Sequence, residues 1–133
     1  MRTISWRKGL VVTVDQTKLP KKLVYLKLKT PKEVAKAIKE MRIRGAPLLG
    51  AASALALAQT AYKSKTKTKE GLLRELKKTG KLIKATRPTA VNLFNSIDLV
   101  LGEAEKFEGT FKEFKDFVIK KCLEIVEADA KVN

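Results

Sequence analysis

A chain of 133 residues with 29 lysines and arginines against 14 acidic residues, a net charge of +15, no histidine and one cysteine is one domain by size, large enough to bury a core without disulfides or a structural metal. The single cysteine excludes an internal disulfide and suits a reducing, cytoplasmic setting, and the absence of histidine removes the commonest acid–base residue and metal ligand, so neither a metal nor another cofactor is expected. Arg2, Arg7 and Lys8 interrupt the start before an apolar run accumulates, so no secretory leader is expected, and the most apolar stretch, Ala46 to Ala61, is shorter than a membrane span.

From about Thr3 to Lys29 apolar and β-branched residues alternate with polar ones, with Gly9 and Pro20 as punctuation. Ile4 to Trp6, Leu10 to Val14 and Leu23 to Leu28 read as three short strands of a small antiparallel sheet within residues 1–29. Thr30-Pro31-Lys32-Glu33 offers an N-cap, a first-turn proline and a capping-box glutamate, which predicts a helix with Val34, Ile38 and Met41 on one face, ending near Arg44-Gly45. A second helix, rich in alanine and leucine, opens at Pro47, runs to Tyr62 and reads as central and buried. The Lys63 to Lys69 run, alternating with Ser and Thr, is a solvated loop. Gly71 to Ala85 forms a third helix with Leu72, Leu73, Leu76 and Ile83 as its apolar set, slightly weakened by Gly80. A fourth runs from Pro88 to about Phe107 with Val91, Leu93, Phe94, Ile97, Val100 and Leu101 apolar; Gly109 closes it, and Thr110 with Glu113 opens the fifth. The expected fold class is α+β: three antiparallel strands, then a bundle of about five helices over residues 30–133, together one domain.

Two segments carry the chemistry. In Met41-Arg42-Ile43-Arg44-Gly45-Ala46-Pro47 an arginine and a glycine stand directly before a proline that opens a helix. Free amides and a partial positive charge lie at such a helix start, Gly45 lets a ligand oxygen approach the backbone, and Arg44 offers a planar fork that suits a phosphate. Ala85-Thr86-Arg87-Pro88-Thr89-Ala90 repeats the device before the fourth helix. If the two starts converge, Arg44 and Arg87 hold one anion from two sides. The competing readings are that the R-G-A-P turn only joins two helices and that Arg87 pairs with a surface carboxylate such as Glu40 or Asp98. Asp15, between a strand-like run and a proline, reads as a turn residue bonding its own backbone. Cys122 lies on the apolar stripe Phe111, Phe114, Val118, Cys122, Ile125 and reads as a core thiol rather than a nucleophile. Lysines are spread over every helix with no aromatic-interleaved basic tract, so nucleic acid is not the expected partner. The basic surface instead favours anionic sugar phosphates, and lysine-rich surfaces are common in proteins of thermophiles.

Trp6, Asp15-Gln16-Thr17-Lys18-Leu19-Pro20, Met41 to Gly50 and Arg87-Pro88-Thr89-Ala90-Val91-Asn92-Leu93 resemble, in this order and at these spacings, the N-terminal half of the methylthioribose-1-phosphate isomerases. That family is grouped with the archaeal ribose-1,5-bisphosphate isomerases and the regulatory subunits of translation initiation factor 2B. The resemblance spans nearly the whole chain. It implies that Arg44, Gly45 and Ala46 bind substrate, that Arg87 contacts its phosphate, and that the activity is an aldose–ketose isomerisation in methionine salvage. Family members run to more than twice this length and carry their catalytic cysteine and aspartate in a C-terminal Rossmann-like domain. The resemblance therefore implies no catalytic residue in this chain, a C-terminal domain or second chain as partner, and a homodimer at full length. Ala128 to Asn133 looks like the family's linker towards that domain. Leu48-Leu49 and Asn95-Ser96 depart from the usual Ala-Ile and Trp-Ala, which changes packing volume and leaves the phosphate residues in place. A non-catalytic subunit like those of initiation factor 2B, or a ribose-1,5-bisphosphate isomerase domain, are the other functions the resemblance allows.

Overall fold

Alternating apolar residues at the start of the chain build a sheet with one covered face. In the computed structural model, which describes residues 4–132, β1 (Ile4–Arg7) pairs antiparallel with β2 (Leu10–Val14), and β2 with β3 (Tyr25–Leu28), in the order β1-β2-β3. Trp6 stands opposite Val11 and Val11 opposite Leu28. That register puts Ile4, Val11 and Leu28 on one face, where all three are buried in the core shared with the helices. β3 begins at Tyr25, later than the alternation from Leu23 suggests, because 16–24 are used for a 3-10 turn (Gln16–Lys18) and a loop. Thr3, the expected start of this region, lies outside the described residues.

Five helices follow: α1 (Pro31–Lys39), α2 (Ala46–Lys63), α3 (Lys69–Lys84), α4 (Val91–Lys106) and α5 (Phe111–Val132). α2 is the centre. It packs against all four other helices and against β1 and β2, and Leu49 to Gln59 are buried without a break. Its alanines let neighbouring backbones approach closely, and its fully buried leucines, Leu55 and Leu57, each contribute about 1.5–3 kcal/mol of apolar transfer free energy. The sheet is fastened to this helix by Gln59, whose Nε2 donates to the carbonyls of Gly9 (3.1 Å) and Leu28 (2.8 Å), and by an edge-on contact of Trp6 with Tyr62.

Several boundaries differ from the reading above. α1 stops at Lys39 rather than near Arg44, because Met41 adopts a left-handed conformation (φ 65°) and the amides of Arg42 and Ile43 fold back onto the Ala37 carbonyl. Met41 is accordingly exposed, not part of the apolar face formed by Val34 and Ile38. α3 starts two residues early, at Lys69, since Thr68 caps it through the Gly71 amide. α4 starts at Val91 rather than Pro88: the Ala90 amide bonds the Arg87 carbonyl, closing a turn over 87–90, and leaves Val91 exposed. α5 runs on to Val132, so the segment from Ala128 that reads as a linker is helical; Asn133 lies outside the described residues.

Candidate anion-binding site

The turn between α1 and α2 is anchored up to Ile43 and open after it. Ile43 is fully buried, whereas Arg44, Gly45 and Ala46 are exposed. Gly45 is the N-cap residue of α2 with φ 95° and ψ 136°, a conformation that strains any other residue. A Cβ built there meets nothing within 4 Å. The glycine is thus required by its backbone, and the space in front of the helix start is free. Pro47 sits in the first turn of α2 as the sequence predicts.

The second arginine turn lies beside the first. Arg87, partly exposed, donates from Nη1 to the Sδ of Met41 at 3.1 Å, and Met41 is three residues before Arg44. The carboxylates that stood as alternative partners for Arg87 are taken: Glu40 accepts from Arg42 Nε (3.0 Å) and Asp98 from Lys84 Nζ (2.5 Å). Among the described residues neither Arg44 nor Arg87 forms an ion pair.

How the helices begin separates α2 and α4 from the rest. Thr30, Thr68 and Thr110 cap α1, α3 and α5 through their hydroxyls, and Glu33, Glu70 and Glu113 stand in those first turns. α2 and α4 have no side-chain cap and no acidic residue in the first turn. The two helices that follow an arginine turn therefore keep unsatisfied amides and an uncompensated positive end, and the other three do not. A phosphate supplies both what the amides and what the guanidinium groups lack. The contrast was available in the sequence, since Gly45 and Ala90 occupy positions where the other helices have threonine. Met41 and Arg42, by contrast, gain their roles from contacts that no local pattern announces.

Groups able to move a proton are scarce here. Asp15 does bond its own turn, as expected: Oδ1 accepts from the Thr17 amide (2.9 Å) and hydroxyl (2.6 Å). It also does something the sequence did not suggest, accepting at Oδ2 from Arg42 Nη1 at 2.7 Å. Burial pushes this carboxyl's pKa up, but the two Thr17 bonds together with the charges of Arg42 and Lys18 outweigh it and hold the group below its ordinary value. The Cys122 thiol is fully buried and pushed well above its ordinary pKa by desolvation, so it is a core side chain.

A family model described as the initiation factor 2 subunit family matches residues 42–133. Methylthioribose-1-phosphate isomerase 2 of Pseudothermotoga lettingae is 41% identical over 132 residues, covering 99% of this chain and 38% of that protein. The crystal structure of 5-methylthioribose 1-phosphate isomerase from Pyrococcus horikoshii OT3 superposes with a TM-score of 0.91 at 38% identity, over 96% of this chain and 36% of the other. That of translation initiation factor eIF-2B, subunit delta, from A. fulgidus gives 0.87 at 38% identity, over 98% and 38%. The chain thus spans less than two-fifths of the length of these relatives.

Proposed function

This chain belongs to the initiation factor 2 subunit family, and from that premise we propose that it is the substrate-phosphate-binding domain of an S-methyl-5-thioribose-1-phosphate isomerase acting in methionine salvage. Arg44 and Arg87 clamp the phosphate, and Gly45 and Ala46 present backbone to it. The observation that carries this reading is the pair of uncapped, acid-free helix starts behind two arginine turns, with Arg87 of one turn in contact with Met41 of the other. Conversion of aldose to ketose moves a proton between neighbouring carbons. In this reading the cysteine and aspartate that do so belong to a Rossmann-like domain outside this chain, and the whole protein works in the cytoplasm as a homodimer, with no nucleic acid, membrane or cofactor.

In the full-length protein, Arg87→Ala and Arg44→Ala should each weaken affinity for methylthioribose-1-phosphate by about 2 kcal/mol or more, roughly thirtyfold, the size of a charge-assisted contact. Unchanged affinity in both variants would sink the assignment. The likeness to the eIF-2B delta subunit supports a second reading, in which the same site senses a sugar phosphate or nucleotide without turnover. Tight binding with no ketose formed by the full-length protein would select it.

A further inference from the structure

We propose that Asp15 and Arg42 form a strut that fixes the Arg44–Gly45–Ala46 turn, making Asp15 a positioning residue for anion binding; the anion itself rests on the function proposed above. The anchors of the segment between α1 and α2 reach as far as Ile43, and besides the Met41 amide on the Ile38 carbonyl (3.1 Å) and the Met41–Arg87 contact they converge on Arg42. The Arg42 amide bonds the Ala37 carbonyl (2.9 Å), and the Arg42 carbonyl accepts from the Gln16 amide (2.9 Å). The Arg42 guanidinium binds Asp15 (2.7 Å) and Glu40 (3.0 Å). Two consecutive residues just after β2, Asp15 and Gln16, therefore grip Arg42 by side chain and by backbone. Beyond the buried Ile43 the exposed residues Arg44, Gly45 and Ala46 have no side-chain hydrogen bond, so the location of Arg44 is inherited from Arg42 and Ile43 together.

The strut is rigid because its buried end cannot turn. Asp15 is fully buried, and its second oxygen is already held by the Thr17 amide and hydroxyl. A carboxylate bonded through both oxygens cannot follow a drifting loop. There is a second consequence, for selectivity among three neighbouring arginines. Asp15 and Glu40 together neutralise Arg42, which leaves Arg44 and Arg87 as the guanidinium groups available to a ligand.

The test uses the full-length protein with Asp15→Asn, Arg42→Gln, the double variant, and Arg44→Ala and Arg87→Ala as direct-contact controls. KM and kcat for methylthioribose-1-phosphate are measured, with amide exchange at Gln16, Arg42 and Leu49. Each single variant should raise KM by about tenfold while kcat stays within about twofold, since the loss is one of positioning the bound phosphate. The double should be no worse than the worse single, because the pair acts as one unit. The three amides should exchange faster in both singles. Arg42→Gln, on a side chain 38% exposed, serves if Asp15→Asn does not fold. Folded variants with unchanged KM and unchanged exchange, or a double whose effect is the sum of the singles, would overturn the strut. If Arg44→Ala and Arg87→Ala both leave KM unchanged, the phosphate assignment falls and exchange alone decides: faster exchange upholds the strut, unchanged exchange overturns it.

Discussion

Asp15 shows how one buried carboxylate links the sheet to the exposed turn, and it sets a stability signature of its own. Its folded pKa is lowered from 3.8, so its contribution is complete above that value and is lost as pH falls through the lower folded value. Asp15→Asn should therefore cost about 1–3 kcal/mol at neutral pH, as for a broken buried pair with its other bonds kept. The gap between the variant and the parent should close below pH 3.8; denaturant melts of both proteins across pH check this, and a constant gap would contradict it. At Cys122, buried in the core, a disulfide reagent should react only after denaturant is added; rapid modification of the native protein would refute the core assignment. The opening of α2 by Gly45 and Pro47 was legible in the sequence because helix-start chemistry is local. Met41 and Arg42 were not, because a left-handed φ and a bond to a residue 27 positions away arise only from tertiary packing.

At the scale of elements, the starts marked by Thr-x-x-Glu, α1 and α5, were legible to the residue, whereas α3, whose Glu70 stands one position nearer Thr68, was placed two residues late; α5 has the full reciprocal capping box, with Glu113 returning to the Thr110 amide at 2.9 Å. In α1 the glutamate reaches one residue further back, to the Lys29 amide. α4 was misplaced because proline is a weaker signal than a cap, and the turn over 87–90 closes before the helix begins. Gly80 was read only as a weak point of α3, whereas its lack of a side chain lets α4 approach: a Cβ there would lie 3.0 Å from Ile97 Cγ2. Ile97 is fully buried and cannot step aside. Gly80→Val should lower unfolding free energy by about 1–3 kcal/mol through overpacking, despite replacing a glycine in a helix. Thermal melts with an unchanged midpoint would show that the α3–α4 contact is slack.

For the molecule as a whole, the sheet, five helices and α+β class follow from alternation, capping and helical periodicity. What covers each surface does not follow from them. Ile119 and Leu123, half-buried, line an open groove along α5 with Asp116 and Glu124, and no helix among the described residues is long and apolar enough to cross a membrane. The net charge of +15 gives a field that draws anions of any kind, so binding of an anion in general is a weak test and its dependence on two arginines is a strong one. The decisive measurement is calorimetric titration of the full-length protein with methylthioribose-1-phosphate and with the same sugar lacking its phosphate, repeated on Arg44→Ala/Arg87→Ala. The parent should prefer the phosphorylated sugar by at least about a hundredfold, and the double variant should hardly discriminate. A preference that survives removal of both arginines would contradict the site.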